Sequence, residues 1–177
     1  MLQTATIPQT STRLATLTRD YAAYNHWANE QLVNWLKNKP AHLQEEAVAS
    51  SFSGIKQTLY HILQVQEWWL SSLTGVTPEL AYGAVFMGKV EDLYTDILEQ
   101  SAQFVQHLQS LSDEELAENC YVDIPFVGEV KRPVFEIVQH TMNHSSYHRG
   151  QLITIGHQLG WHDAPMTDYM FYLLMAK

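Results

Sequence analysis

The chain has 177 residues, 46% of them apolar, and a formal net charge of −9. That length suits one domain with a sizeable core, and that charge argues against a nucleic-acid or anionic-membrane partner, because neutralising phosphates takes clustered Lys and Arg. A lone cysteine, Cys120, excludes an internal disulfide and a Cys-rich zinc knuckle; no apolar run is long enough to span a bilayer, and MLQTATIPQTSTR lacks the pattern of a signal peptide, so the expected location is cytoplasmic.

Residues 1–11 are small and polar and read as a flexible N-terminus, with one domain over 12–177. From Thr12 to Asn38 the apolar positions Leu14, Leu17, Tyr21, Tyr24, Ala28, Leu32 and Trp35 follow a helical period, which Pro40 ends. His26 falls on the opposite side of that stripe and reads as solvated. The segment 41–52 is a connection with room for one short turn. Ser53 is then a candidate N-cap for a second helix whose wide apolar face runs from Ile55 to Leu73, stopped by Gly75 and Pro78. His61 lies on the flank of that face.

Residues 77–88 read as a loop, with Tyr82 and Phe86 placed to pack near a pocket mouth. A third helix is expected over 89–111, its first half carrying Glu91, Asp92, Asp96 and Glu99 where the helix dipole favours acid, as a solvated face. A short turn follows at 112–115. YVDIPFVGEV, residues 121–130, alternates apolar and polar side chains and fits either a short hairpin or an irregular loop.

The fourth long helix carries most of the chemistry. Pro133 suits its first position and Gly160 a left-handed stop. Gly150 and Gly156 inside it each weaken the helix by up to about 1 kcal/mol, a cost that close packing would offset. Rotating about 100° per residue puts His148 within about 20° of the centre of the apolar stripe, His144 within about 60°, and His140 at the edge, about 100° away. Two inward histidines one turn apart bring imidazoles close enough to share a metal ion, and buried imidazoles need partners in any case. Periodicity alone does not make His61 a third ligand, but His107 and His157 project away from their stripes and His42 and His162 sit in connections, which leaves His61 as the best remaining choice. Pro165 and Thr167 introduce a last short helix over 168–176, with Thr167 as its candidate cap.

Three stretches together resemble the DinB-like family and its YfiT relatives: YAAYNHWANEQLVNWL, SGIKQTLYHILQVQEWWL, and MNHSSYHRGQLITIGHQLG followed by PMTDYMFYLL. The H-x-x-x-H-R-G-Q run is the most specific part, and the likeness covers nearly everything after the first dozen residues. It implies an all-α four-helix bundle, up-down-down-up, with a short C-terminal helix. It also implies a divalent metal, nickel or zinc, on His61, His144 and His148, and a homodimer formed through bundle helices. Family members with assigned chemistry resemble thiol-dependent transferases or isomerases, so the implied partners are a small-molecule substrate and a low-molecular-weight thiol.

Three imidazoles on one ion leave a position for water or a thiol, which fits a hydrolase or a thiol S-transferase. The alternative is a non-catalytic metal- or ligand-binding bundle. Candidates to orient the ligands are Gln151, Asn143, Glu67 and Asp168. Arg149 is expected either in a salt bridge or helix-terminal contact or as a holder of an anionic substrate, and Trp68, Trp69 and Tyr147 as packing. Cys120 is read as a small packing or surface residue.

Overall fold

The computed structural model describes residues 13–81, 83–124 and 127–177. The flexible N-terminus expected over 1–11 and the pocket-mouth placement of Tyr82 lie outside the described residues. Four long helices dominate: α1 (Leu14–Lys37), α3 (Gly54–Thr74), α4 (Val90–Gln109) and α6 (Val134–Gln158). Short elements fill the connections: α2 (Ala41–Gln44), α5 (Asp113–Ala117), strands β1 (Asn119–Ile124) and β2 (Gly128–Pro133), and α7 (Tyr169–Met175).

Each long helix packs on two others, so α1 and α3 occupy one diagonal of the bundle and α4 and α6 the other. Cross-helix contacts give the directions. His61 lies against His148 while Trp69 lies against His140, so α3 and α6 run antiparallel. Tyr21 reaches Asn143 and Asn29 meets Arg149, so α1 and α6 run parallel. Arg19 Nε donates to the Leu108 carbonyl and His26 meets Ser101, so α1 and α4 are antiparallel. The result is the up-down-down-up bundle that the family resemblance implies, and no helix among the described residues is long and apolar enough to cross a membrane.

Two large apolar clusters fill the interior, one at each end, and a small third one joins Tyr24 and Ala28 of α1 to Tyr172 of α7. Leu32, Leu36, Ile55, Leu59, Ile62, Leu93, Ile97, Leu152 and Ile155 form the first. Val65, Trp69, Phe104, Leu108, Ile137, Val138 and Met142 form the second. Between them the helices contribute a polar layer that includes Asn25, Asn29, Gln66, Gln100, Ser101, Ser145, His148 and Arg149, all buried. Asn25 Nδ2 donates to Gln66 Oε1 at 2.7 Å, which ties α1 to α3 across the bundle diagonal.

The connections follow local chemistry, with several departures from the sequence expectation. Ser53 precedes α3 but its hydroxyl makes no capping bond; the turn is made by Gly54 at φ +88°, where a Cβ would sit 2.3 Å from the Glu46 carbonyl oxygen. Asp92 Oδ2 accepts from the Lys89 N–H and Glu45 Oε1 from the Val90 N–H, so two carboxylates hold the start of α4. Ser112 and Glu115 form a capping box on α5. The segment read as hairpin or loop is an antiparallel hairpin with Val122 opposite Val130. Pro133 closes β2 and is the residue before α6 rather than its first helical residue. Gly160 stops α6 at φ +86°, with Trp161 N–H on the Gly156 carbonyl and Gly160 N–H on that of His157, a Schellman motif. Of the two internal glycines, only Gly156 has a packing reason: a Cβ there would meet the Trp35 ring at 2.4 Å, whereas at Gly150 it would meet nothing. The cap of α7 is Asp168, one residue beyond the expected Thr167.

Candidate metal centre

His61 sits two turns into α3, and His144 and His148 sit one turn apart in the middle of α6. Because α3 and α6 pack antiparallel, an early position on one faces a central position on the other. One donor nitrogen from each of the three rings lies within 4.8 Å of the other two. His61 Nε2 and His144 Nε2 are 2.9 Å apart. Both are imidazole nitrogens, so either one donates a proton to the other's lone pair or two lone pairs face each other.

The surroundings hold the rings in place and keep them neutral. Gln151, one turn beyond His148, puts Oε1 2.7 Å from His148 Nδ1, and its Nε2 donates to Ser51 Oγ at 2.8 Å. A proton on Nδ1 suits that acceptor and turns the Nε2 lone pair of His148 outward. Phe52 stacks on the His61 ring at 4.0 Å and meets His148 edge-on at 5.5 Å. Burial, with His148 nearby, lowers the His61 pKa to about 4. Burial, then His148, His61 and His140, lowers that of His144 to about 3. His148 is lowered by burial and partly restored by Gln151. All three are therefore unprotonated at neutral pH, the state in which an imidazole ligates a metal.

The donor set fits a divalent ion. Two nitrogens on one tetrahedral zinc at about 2.0–2.1 Å lie about 3.4 Å apart, so the 2.9 Å pair needs to open only slightly. Among the described residues no Cys, Asp or Glu joins the group. His140 lies beside it, its ring 5.8 Å from His144 and 5.1 Å from Trp69. A cleft of roughly 290 Å³ opens there, lined by Trp69, Ile124, Ile137, His140 and Arg132.

A model of the DinB family matches residues 1–177. The chain belongs to the DinB family. It is also 31% identical over 164 residues to Protein DinB of Bacillus subtilis (strain 168), covering 87% of this chain and 92% of that one.

Of the four ligand-orienting candidates, the structure places only Gln151 at the histidines of this DinB-family chain. Glu67 faces another way and accepts from the Glu79 and Leu80 N–H groups. Asp168 accepts from Phe171 N–H as the α7 cap. Asn143 Oδ1 accepts from Tyr21 Oη at 2.5 Å, on the α1 side. Arg149 fits neither expectation. It is 1% exposed, donates to Asn25, Asn29 and Ser146, lies over the Tyr24 ring, and makes no salt bridge among the described residues. His26 is half-buried and hydrogen-bonded to Ser101 rather than freely solvated. Trp69 packs in the core as expected, but Tyr147 is 63% exposed with its ring 4.9 Å from His148, an edge of the site rather than packing. Cys120 is partly buried, as expected of a packing residue. Phe52 was not foreseen: it lies in an aperiodic connection, and only the turn at Gly54 brings it to His61.

Proposed function

We propose that this DinB-family protein is a metal-dependent enzyme of small molecules, with His61, His144 and His148 holding one divalent ion, nickel or zinc. The observation that carries this reading is the convergence of three neutral imidazoles from two helices, with no carboxylate or thiolate among the described residues to complete the set. An ion on three such ligands supplies one open position at which water or a thiol becomes acidic near neutral pH, the basis of either hydrolysis or thiol S-transfer. The chain's own part is to keep the imidazoles unprotonated, to fix the His148 tautomer through Gln151, and to shield one side of the rings with Phe52. A cleft walled by Trp69, Ile137, Arg132, Glu136 and His140 lies next to the site, and His140 links it to His144. A low-molecular-weight thiol as co-substrate, a homodimer and a cytoplasmic location belong to the same proposal.

One observation favours the second reading, a metal-binding bundle without catalysis: the group contains no carboxylate to serve as general base. Two measurements separate the readings. Elemental analysis and calorimetric titration of the chelator-stripped protein with Ni²⁺ and Zn²⁺ should give one ion per chain, lost in His148→Ala. The loaded protein is then screened with thiols plus electrophiles and with ester and amide panels. Turnover that disappears with the metal supports the enzyme; full metal binding with silence across every panel supports the binding bundle. No metal uptake at all would sink both.

A further inference from the structure

The cleft beside His140 has an apolar floor and a charged far end. Trp69, 9% exposed, and Ile137, 4% exposed, form the floor, with Ile124 of the hairpin at one side. Two opposite charges line the same cleft: Arg132, near the end of β2, and Glu136, in the first turn of α6. They are not paired with each other, and neither side chain makes a hydrogen bond or ion pair with any other group among the described residues. Lys39, Lys56 and Lys177, by contrast, each sit on a carboxylate. With 19 acidic residues to 10 Lys and Arg in the chain, an arginine left free four residues from a free glutamate is not short of possible partners.

The placement ties these charges to the histidines. His148, His144, His140 and Glu136 follow one another at four-residue steps along one flank of α6, and Arg132 lies four residues before them. His140 is one turn from His144 and Glu136 two, so the cleft covers about 12 Å of helix between the candidate metal centre and the charges. An acid in this cleft would satisfy Arg132 and be repelled by Glu136; an amine would do the reverse. An α-amino-acid head satisfies both, its ammonium donating to Glu136 and its carboxylate accepting from Arg132. The roughly 290 Å³ available equals about ten waters at about 30 Å³ each, room for such a head and a short unbranched chain.

We infer that the small molecule reacting at the histidines carries a free α-amino-acid head, selected by Arg132 and Glu136. Its chain lies on Trp69 and Ile137 and points past His140 toward His144. This inference rests on the reading of His61, His144 and His148 as the reacting centre, but the head site can be tested without a metal.

The first arm is an NMR titration of the metal-free, full-length protein with L-norleucine, followed through the Ile124 and Ile137 methyl signals. Saturable shifts are expected. Hexanoate and hexylamine, each lacking one of the two charges, should bind about fivefold more weakly or worse, and so should norleucine to Arg132→Gln and to Glu136→Gln, the scale of one partly exposed charged contact. Both substitutions are at exposed positions and leave the core intact. In the second arm, 2-amino-6-mercaptohexanoic acid should bind the zinc-loaded protein at least about tenfold tighter than norleucine does, and Arg132→Gln should weaken both ligands by the same factor. The inference is overturned if the norleucine shifts do not saturate, if hexanoate or hexylamine matches norleucine, if either variant binds like the parent, or if the thiol gains nothing on the zinc-loaded protein. Failure of zinc uptake sinks the metal reading and with it the link to the histidines, whereas a failed norleucine arm with zinc uptake intact sinks only the head site.

Discussion

His148 and Arg149 are neighbours on α6, both buried, and they face opposite fates. Arg149 turns toward α1, where Asn25 and Asn29 accept from its guanidinium and the Tyr24 ring covers it, while Ser146 of its own helix accepts as well. His148 turns toward α3; Gln151 of its own helix takes one ring nitrogen, and the ring lies with those of His61 and His144. One residue makes three hydrogen bonds within the chain; the other belongs to the group proposed to hold a metal ion. Evolution of a stable bundle accounts for the first arrangement. Crowding three imidazoles, two with Nε2 atoms 2.9 Å apart, serves stability poorly, and the proposed metal ion would give those nitrogens a common partner.

The contrast can be broken from either side. His148→Ala should lower Ni²⁺ or Zn²⁺ affinity by about a thousandfold, about 4 kcal/mol, measured by competition with a chromophoric chelator. Its effect on the melting of the metal-free protein should be far smaller. Arg149→Ala should do the reverse, costing about 3 kcal/mol in urea unfolding because it orphans the buried amides of Asn25 and Asn29. If Arg149→Ala unfolds as easily as the parent, the α1–α6 seam is not the structural partner described here. Gln151→Ala removes only the orientation of His148 and should weaken metal binding by about 10–100-fold.

A further expected effect concerns pH. The folded pKa values of His61 and His144, about 4 and about 3, lie below the ordinary value of 6.5. Between pH 6.5 and 4 the unfolded chain therefore binds protons that the folded chain does not, and stability must fall as pH falls. The urea midpoint of the metal-free protein should drop across that window, and the drop should be shallower in His144→Gln. An identical pH dependence in the two proteins would show that these rings are not held neutral by the fold.

Much of this was legible from residue spacing. A helix with His144 and His148 on its inner side needs only the 3.6-residue period, and Gln151 is one turn from His148, within reach by the same rule. His61 was reachable only by eliminating the other histidines and through the family resemblance, because whether a flank residue meets α6 depends on how α3 is rotated in the bundle. The same gap explains Arg149: a helical wheel orders residues around one axis but does not say which of two packed neighbours each direction faces. Glu67 and Asp168 were drawn toward the site by their charge, yet each is held by backbone N–H groups nearer in the chain, a demand that periodicity does not reveal. Phe52 carried no signal, since aromatic residues in connections have no period to place them.

The segment between α2 and α3 brings Ser51 to Gln151 and Phe52 to His61, while Gly54 fixes where α3 begins. That short connector works as a ruler. One residue added or removed would slide two supports off two different imidazoles at once, so relatives that keep the histidines but change this spacing should differ in their appetite for metal.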